Sequence, residues 1–285
     1  MEHTGERLRV ALGQFTAAAG DVAANLAQVV GLLEAAAQDH ADLVCFPELC
    51  LPGYLLDKAR YTDALLRDLR SAETTVQSAA RELGVRVMYG TARTWGDRLH
   101  NAVVITEPEG NPTVYAKTHM VDVERAIFTA GFELTLTNDG DLALGCCYDL
   151  AFPEFCAAQA DAGARALFFP MAWEKQRAFV FEGVVAARAI ENIAYVVCVN
   201  QTGALGTTLF HGGSRIVDPI GHTVLDMGDS PGLGSADLDL AWVTRLRSSV
   251  DPSTYPLLAD RRRDLSIRRS PALDRSDITA GVDER

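Results

Sequence analysis

The strongest constraint on the fold is a set of short, unbroken apolar runs that each stop at a charged residue. Residues 42–46 (Asp-Leu-Val-Cys-Phe) stop at Pro47-Glu48, residues 114–116 at Lys117, and residues 142–147 at Tyr148-Asp149. Runs this short and this continuous suit strands buried on both faces, as in parallel sheets. Amphipathic stretches separate them. In residues 25–41, Leu26, Val29, Val30, Leu33 and Ala37 fall on one helical face. Residues 61–83 also read as a helix, and residues 7–15 and 85–94 as strands. The first ninety residues therefore predict two β-α-β units.

The pattern continues downstream. Residues 101–106 and 112–117 flank Glu107-Pro108-Glu109-Gly110-Asn111, a hairpin signal. Residues 142–147 read as a strand, and Pro153 suits the first position of a helix. A strand at 166–169, a helix at 174–192 and a strand at 195–200 follow. Strands at 214–217 and 223–225 flank Asp218-Pro219-Ile220-Gly221. The last forty residues are polar and read as a tail that docks on a neighbour. Alternating strands and helices imply an α/β fold with a mixed, buried sheet and helices outside. No Pro/Ser-rich linker interrupts the 285 residues, which read as one domain with a core at about 7–265 and a tail at 266–285.

Composition excludes several function classes. The net charge of -12 argues against nucleic acid as a partner. The one basic cluster, Arg261-Arg262-Arg263 with Arg268-Arg269, is short and lies among acids. No run of about 18 apolar residues predicts a membrane span, and the acidic start lacks the apolar core of a secretory leader. The six cysteines include no Cys-x-x-Cys pair, which fits a reducing, cytoplasmic setting without a zinc ribbon. Phosphate-cradling, dinucleotide-binding, nucleophile-elbow serine and His-Glu-x-x-His patterns are all missing.

The chemistry gathers at strand ends, where open α/β sheets bind ligands. Glu48, Lys117 and Cys147 each close an apolar run, and a charge there is costly unless paired or used. A thiolate attacks a carbonyl or nitrile carbon. A glutamate takes the thiol proton and returns it to a leaving amine, and a lysine stabilises the oxyanion. Spacing alone leaves this as one assembly among several. Cys146 and Cys147, adjacent in a strand, are expected on opposite faces, with Cys146 in the core.

Motif matches narrow the choice. Phe46-Pro47-Glu48-Leu49 with Pro52-Gly53-Tyr54, Tyr115-Ala116-Lys117-Thr118-His119, and Cys147 through Glu154 (Cys-Tyr-Asp-Leu-Ala-Phe-Pro-Glu) occur in that order. Arg188 through Asn192, Val199 through Gly203, Gly212 through Gly221 and Arg261 through Leu265 follow. In these segments the chain resembles the nitrilase superfamily, the carbon–nitrogen hydrolases. That resemblance implies a four-layer α-β-β-α sandwich, usually dimerised through sheet-flanking helices, and hence a homodimer or higher homo-oligomer. It makes Glu48 the general base, Lys117 the oxyanion-side cation and Cys147 the nucleophile, with Glu124 positioning Lys117 or substrate. It implies no metal or organic cofactor.

Other site candidates carry a plainer reading beside the functional one. Tyr54 and Tyr148 are placed at the substrate, the latter through its backbone N–H. Glu154 either reaches the site or favours the helix start through the dipole. Trp173 lines the pocket or fills the core, Asn200 lines the site or caps a strand, and Glu124 otherwise forms a surface ion pair. Glu191 reads as a structural ion pair. Cys147-Tyr148-Asp149 looks like the amidase and carbamoylase branches rather than true nitrilases. Ala151 stands where many relatives carry Arg, which leaves Arg177 or Arg215 to meet a carboxylate. A small amide is the favoured substrate, then an N-carbamoyl amine, then a nitrile; an amine N-acyltransferase or a non-catalytic binding protein are the readings of other classes.

Overall fold

The computed structural model describes residues 6–248, so the polar tail and its arginine cluster lie outside the described residues. The elements run β1 (Arg7–Gln14), α1 (Val22–Gln38), β2 (Leu43–Cys45), α2 (Asp63–Leu83), β3 (Arg86–Trp95), β4 (Arg98–Thr106), β5 (Thr113–Ala116) and α3 (Asp122–Arg125). They continue β6 (Thr135–Leu136), β7 (Leu142–Leu144), α4 (Pro153–Asp161), β8 (Ala166–Met171), α5 (Ala178–Asn192) and β9 (Tyr195–Asn200). Last come β10 (Thr202–Leu205), β11 (Thr208–His211), β12 (Arg215–Val217), β13 (Thr223–Asp226), β14 (Gly232–Asp239) and α6 (Leu240–Ser248).

Local chemistry sets the helix limits. The Asp21 side chain accepts from the Ala24 amide and starts α1. Thr62 does the same for α2 through the Leu65 amide, and Gly84 ends that helix at φ 70°. Pro153 occupies the first turn of α4, where its missing N–H costs nothing.

Two six-stranded sheets form, in the orders β14-β1-β2-β3-β4-β5 and β13-β12-β9-β8-β7-β6. Each holds three consecutive parallel strands: β1, β2 and β3 in one, β7, β8 and β9 in the other. Strand alternation separates the layers. Val10, Leu12, Leu43, Cys45, Val103 and Ile105 of the first sheet share a core with Leu144, Phe168 and Val197 of the second. Their neighbours Ala11, Val44, Val87 and Val104 face Val29 and Leu33 of α1 and Leu69 and Val76 of α2. Phe181, Val185 and Ala189 of α5 and Phe155 of α4 join the second sheet. The result is the four-layer α-β-β-α sandwich.

Two features differ from the sequence reading. The strand expected at 142–147 ends at Leu144, and Cys147–Ala151 form a 3₁₀ turn. Gly145, next in the chain, packs its backbone against Phe169: a Cβ there would lie 2.4 Å from that ring. The hairpin β10–β11 and the edge strand β14 carry no apolar run and were not expected from periodicity.

Candidate active site

Glu48 lies three residues beyond β2, on a tight turn in which Leu49 takes φ 47°. Gly90 of β3 makes the turn possible, since a Cβ there would sit 2.2 Å from the Leu49 nitrogen and 2.6 Å from the Pro47 oxygen. The turn is tied to the second sheet. The Glu48 amide donates to the Met171 carbonyl at 3.3 Å, and Gln201 Nε2 donates to the Glu48 carbonyl at 3.0 Å.

Lys117 follows β5 and is fully buried. Its Nζ lies 2.7 Å from Glu48 Oε1 and 2.8 Å from both oxygens of Glu124. Asn101 Nδ2 donates to Glu48 Oε1 at 2.7 Å. Glu48 Oε2 is buried and has no hydrogen-bond partner. Burial alone would depress the lysine, but the charges of Glu48, the neighbouring thiols and Glu124 hold its ammonium well above the usual range. Glu124, buried and next to Glu48, has its carboxyl pushed up to about 7, by burial first and then by that neighbouring charge.

Cys147 enters from the second sheet. The chain passes from an extended Cys146 (φ -144°) to a left-handed Cys147 (φ 45°), a conformation that costs an L-residue roughly 1–2 kcal/mol. The kink turns the thiol into the cleft wall. Burial pushes this thiol well up and the Glu48 charge adds to it; Lys117 and the Ala172 backbone amide act in the opposite sense. Cys146, as expected, is buried in the core and stays off the cleft wall, with its Sγ 4.0 Å from Asn101 Oδ1.

Cys147 and Lys117 open onto a cleft of about 480 Å³ walled by Tyr54, Tyr148, Ala151, Trp173 and Val180, among others. Trp173 is held by its Nε1, which donates to the Arg177 carbonyl at 2.9 Å, and Tyr54 donates to Glu124 Oε1 at 3.3 Å. Arg125 and Arg177 stand on the cleft wall with Asp122 and Glu174.

Comparison with known proteins fits this geometry. The model of the carbon-nitrogen hydrolase family matches residues 9–248. The chain belongs to the carbon–nitrogen hydrolase family. This hydrolase is 31% identical to a 2-oxoglutaramate amidase of Bacillus subtilis (strain 168), over 88% of its own length and 96% of the relative's. It is 32% identical to an (R)-stereoselective amidase of Pseudomonas sp., over 97% and 100%. Among solved structures, a cysteine-to-alanine mutant of a nitrilase-superfamily amidase from Nesterenkonia AN1 superposes with a TM-score of 0.79 at 27% identity, covering 90% and 94%. Another structure of that amidase carries the acetamide moiety of fluoroacetamide added covalently to its active-site cysteine.

The fold of the hydrolase brings together Glu48, Lys117, Glu124, Cys147, Tyr54, Tyr148 and Trp173. It leaves out others. Glu154 is exposed in the first turn of α4 and away from the cleft wall, which is the dipole reading. Asn200 is buried behind the wall, bonded to the Trp173 backbone and the Gly212 carbonyl, so it shapes the cleft without lining it. Arg215 packs over Phe181 and pairs with Asp226, away from the cleft. Glu124 is no surface ion pair, and Glu191 does pair with Arg188 at 2.9 Å. Three residues were missed: Asn101, Asp149 and Arg188. Arg188 donates to the carbonyls of Leu150 and Ala151, each at 2.9 Å, and so braces the turn that carries Cys147. A buried arginine inside an otherwise apolar helix face was the available signal. Among the described residues no cluster of three or more His, Cys, Asp or Glu is placed to hold a metal ion.

Proposed function

We propose that the enzyme hydrolyses the C–N bond of a small amide through a Cys147 thioester, with Glu48 as base and Lys117 as the oxyanion-side cation. The observation that carries this is the buried contact of Lys117 Nζ with Glu48 Oε1 at 2.7 Å beside the left-handed Cys147, at the wall of a mostly apolar cleft. Glu48 Oε2, unpartnered in the same cluster, is the oxygen free to take a proton.

Glu48 takes the thiol proton while Cys147 Sγ bonds to the carbonyl carbon. Lys117 and the Tyr148 backbone N–H hold the oxygen as it gains charge. The C–N bond breaks, and the nitrogen leaves with the proton from Glu48. Water gives a proton to Glu48 and its oxygen bonds to the acyl carbon. The C–S bond breaks and the thiol regains its proton.

Two of the relatives are named as amidases, and an alanine variant of the Nesterenkonia amidase is in complex with butyramide. Those names support an amide over a nitrile or an N-carbamoyl amine. We place the enzyme in the cytoplasm as a homo-oligomer, and read the chain as one hydrolase domain. Among the described residues no helix is long and apolar enough to cross a membrane.

The test is ammonia release from short amides, nitriles and N-carbamoyl amines by wild type, Cys147→Ala and Cys146→Ala. Release from amides by the first and third alone is expected. Activity surviving in Cys147→Ala sinks the mechanism, and amine-dependent acyl transfer exceeding hydrolysis moves the enzyme to the acyltransferase class.

A further inference from the structure

Lys117 and Cys147 leave different sheets, yet one buried carboxylate touches the chain beside both. Asp149 is fully buried, two residues after Cys147. Its Oδ2 accepts from the Cys146 backbone N–H at 2.9 Å and from the Tyr115 hydroxyl at 2.7 Å. Its Oδ1 accepts from the Thr118 hydroxyl and the His119 backbone N–H, both at 2.9 Å, and lies 2.8 Å from His119 Nδ1. Tyr115, Thr118 and His119 flank Lys117, and Cys146 precedes Cys147. A single side chain therefore fixes the strand end that presents the ammonium against the turn that presents the thiol.

We propose that Asp149 is the positioning residue that sets the distance between the Cys147 thiol and the Lys117 ammonium; the inference rests on Cys147 being the nucleophile. The chemistry of the five contacts makes the carboxylate irreplaceable. The two hydroxyls can rotate to accept, and the imidazole can change tautomer. The Cys146 and His119 backbone N–H groups can only donate, and they approach different oxygens. An asparagine has one acceptor and one NH₂, so either way round it sets a donor against one of these amides. That end must move, and a misplacement of about 1 Å costs on the order of a hundredfold in rate.

The experiment compares full-length wild type, Asp149→Asn and the double variant Tyr115→Phe/Thr118→Val, each checked for folding by circular dichroism. One readout is kcat and KM for butyramide, per thiol titrated. The other is the rate of Cys147 alkylation by iodoacetamide, in which the S–C bond forms as iodide leaves, with Cys147→Ala as the background. Asp149→Asn is expected to lose about 30- to 100-fold in kcat with KM within about threefold, and to alkylate about tenfold more slowly. The double variant, which keeps both backbone contacts, is expected to lose about 3- to 10-fold in kcat. A merely structural carboxylate would lower the folded fraction and leave each folded site's rates alone. Folded Asp149→Asn with both rates within twofold of wild type overturns the proposal. If Asp149→Asn does not fold, the double variant decides by the same twofold limit. A wild type inert toward every short amide tested would refute the hydrolase reading, while alkylation would still judge Asp149.

Discussion

Replacing Gly90 with alanine tests whether the turn carrying Glu48 is held by a steric fit. Gly90 does not take a positive φ, so alanine is allowed by its backbone and the effect is contact alone. Its Cβ would stand 2.2 Å from the Leu49 nitrogen, 2.6 Å from the Pro47 oxygen and 2.7 Å from the Glu48 carbonyl carbon. All three are backbone atoms, which cannot swing aside as a side chain does. Ordinary contact needs roughly 3.5 Å, so the turn or the strand must move by about 1 Å. Overpacking of this kind costs about 1–3 kcal/mol of stability, and a 1 Å displacement of Glu48 about a hundredfold in kcat. Ammonia release and urea unfolding measure the two effects. Gly31 is the control: it lies inside α1 with nothing within 4 Å of an added Cβ, and Gly31→Ala should stabilise by about 1 kcal/mol with kcat unchanged. A folded Gly90→Ala enzyme with kcat within threefold of wild type would refute the reasoning.

Three further outcomes are expected. Glu124, raised from 4.5 to about 7 by burial and then Glu48, keeps its proton in the folded state across a range where the unfolded chain has lost it. The folded state then binds more protons between these values, so stability falls as pH rises from about 4.5 to about 7; urea melts across that window should flatten in Glu124→Gln. Arg188→Met strips the Leu150 and Ala151 carbonyls of their charged donor and should cost about 2–4 kcal/mol, read by the same melts. Arg177 lines the cleft 3.7 Å from Glu174. Arg177→Ala should raise KM about tenfold for amides bearing a distal carboxylate and leave KM for neutral amides unmoved, as initial-rate kinetics will report.

What the sequence made legible follows from local signals. Continuous apolar runs marked β2, β5, β7, β8 and β9, because strands buried on both faces need no polar alternation. Glu48, Lys117 and Cys147 stood out as charges or thiols at the ends of those runs. The strand β14, with Gly232, Gly234, Ser235 and Asp237, is a half-buried edge and carries no such run. The strand expected at 142–147 stops at Leu144 because the apolar run continues into a turn, which Cys147 enters in a left-handed conformation. Asp149 was illegible for another reason. Four of its five contacts reach residues 30 or more positions away, and no local pattern points to them. Glu154 and Arg215 were offered for their charge, and charge alone does not say which way a side chain points.

The seam between the two sheets has a consequence for how this enzyme fails. Glu48 and Lys117 are anchored in one sheet, Cys147 and Ala172 in the other, and each sheet completes its own backbone ladder. Turnover is therefore a gauge of docking rather than of secondary structure. A state in which both ladders survive but water has entered between them keeps a native far-ultraviolet spectrum and cannot form the thioester. On mild heating, inactivation should run ahead of helix and strand loss, and cooling should restore it for as long as the halves can find each other again.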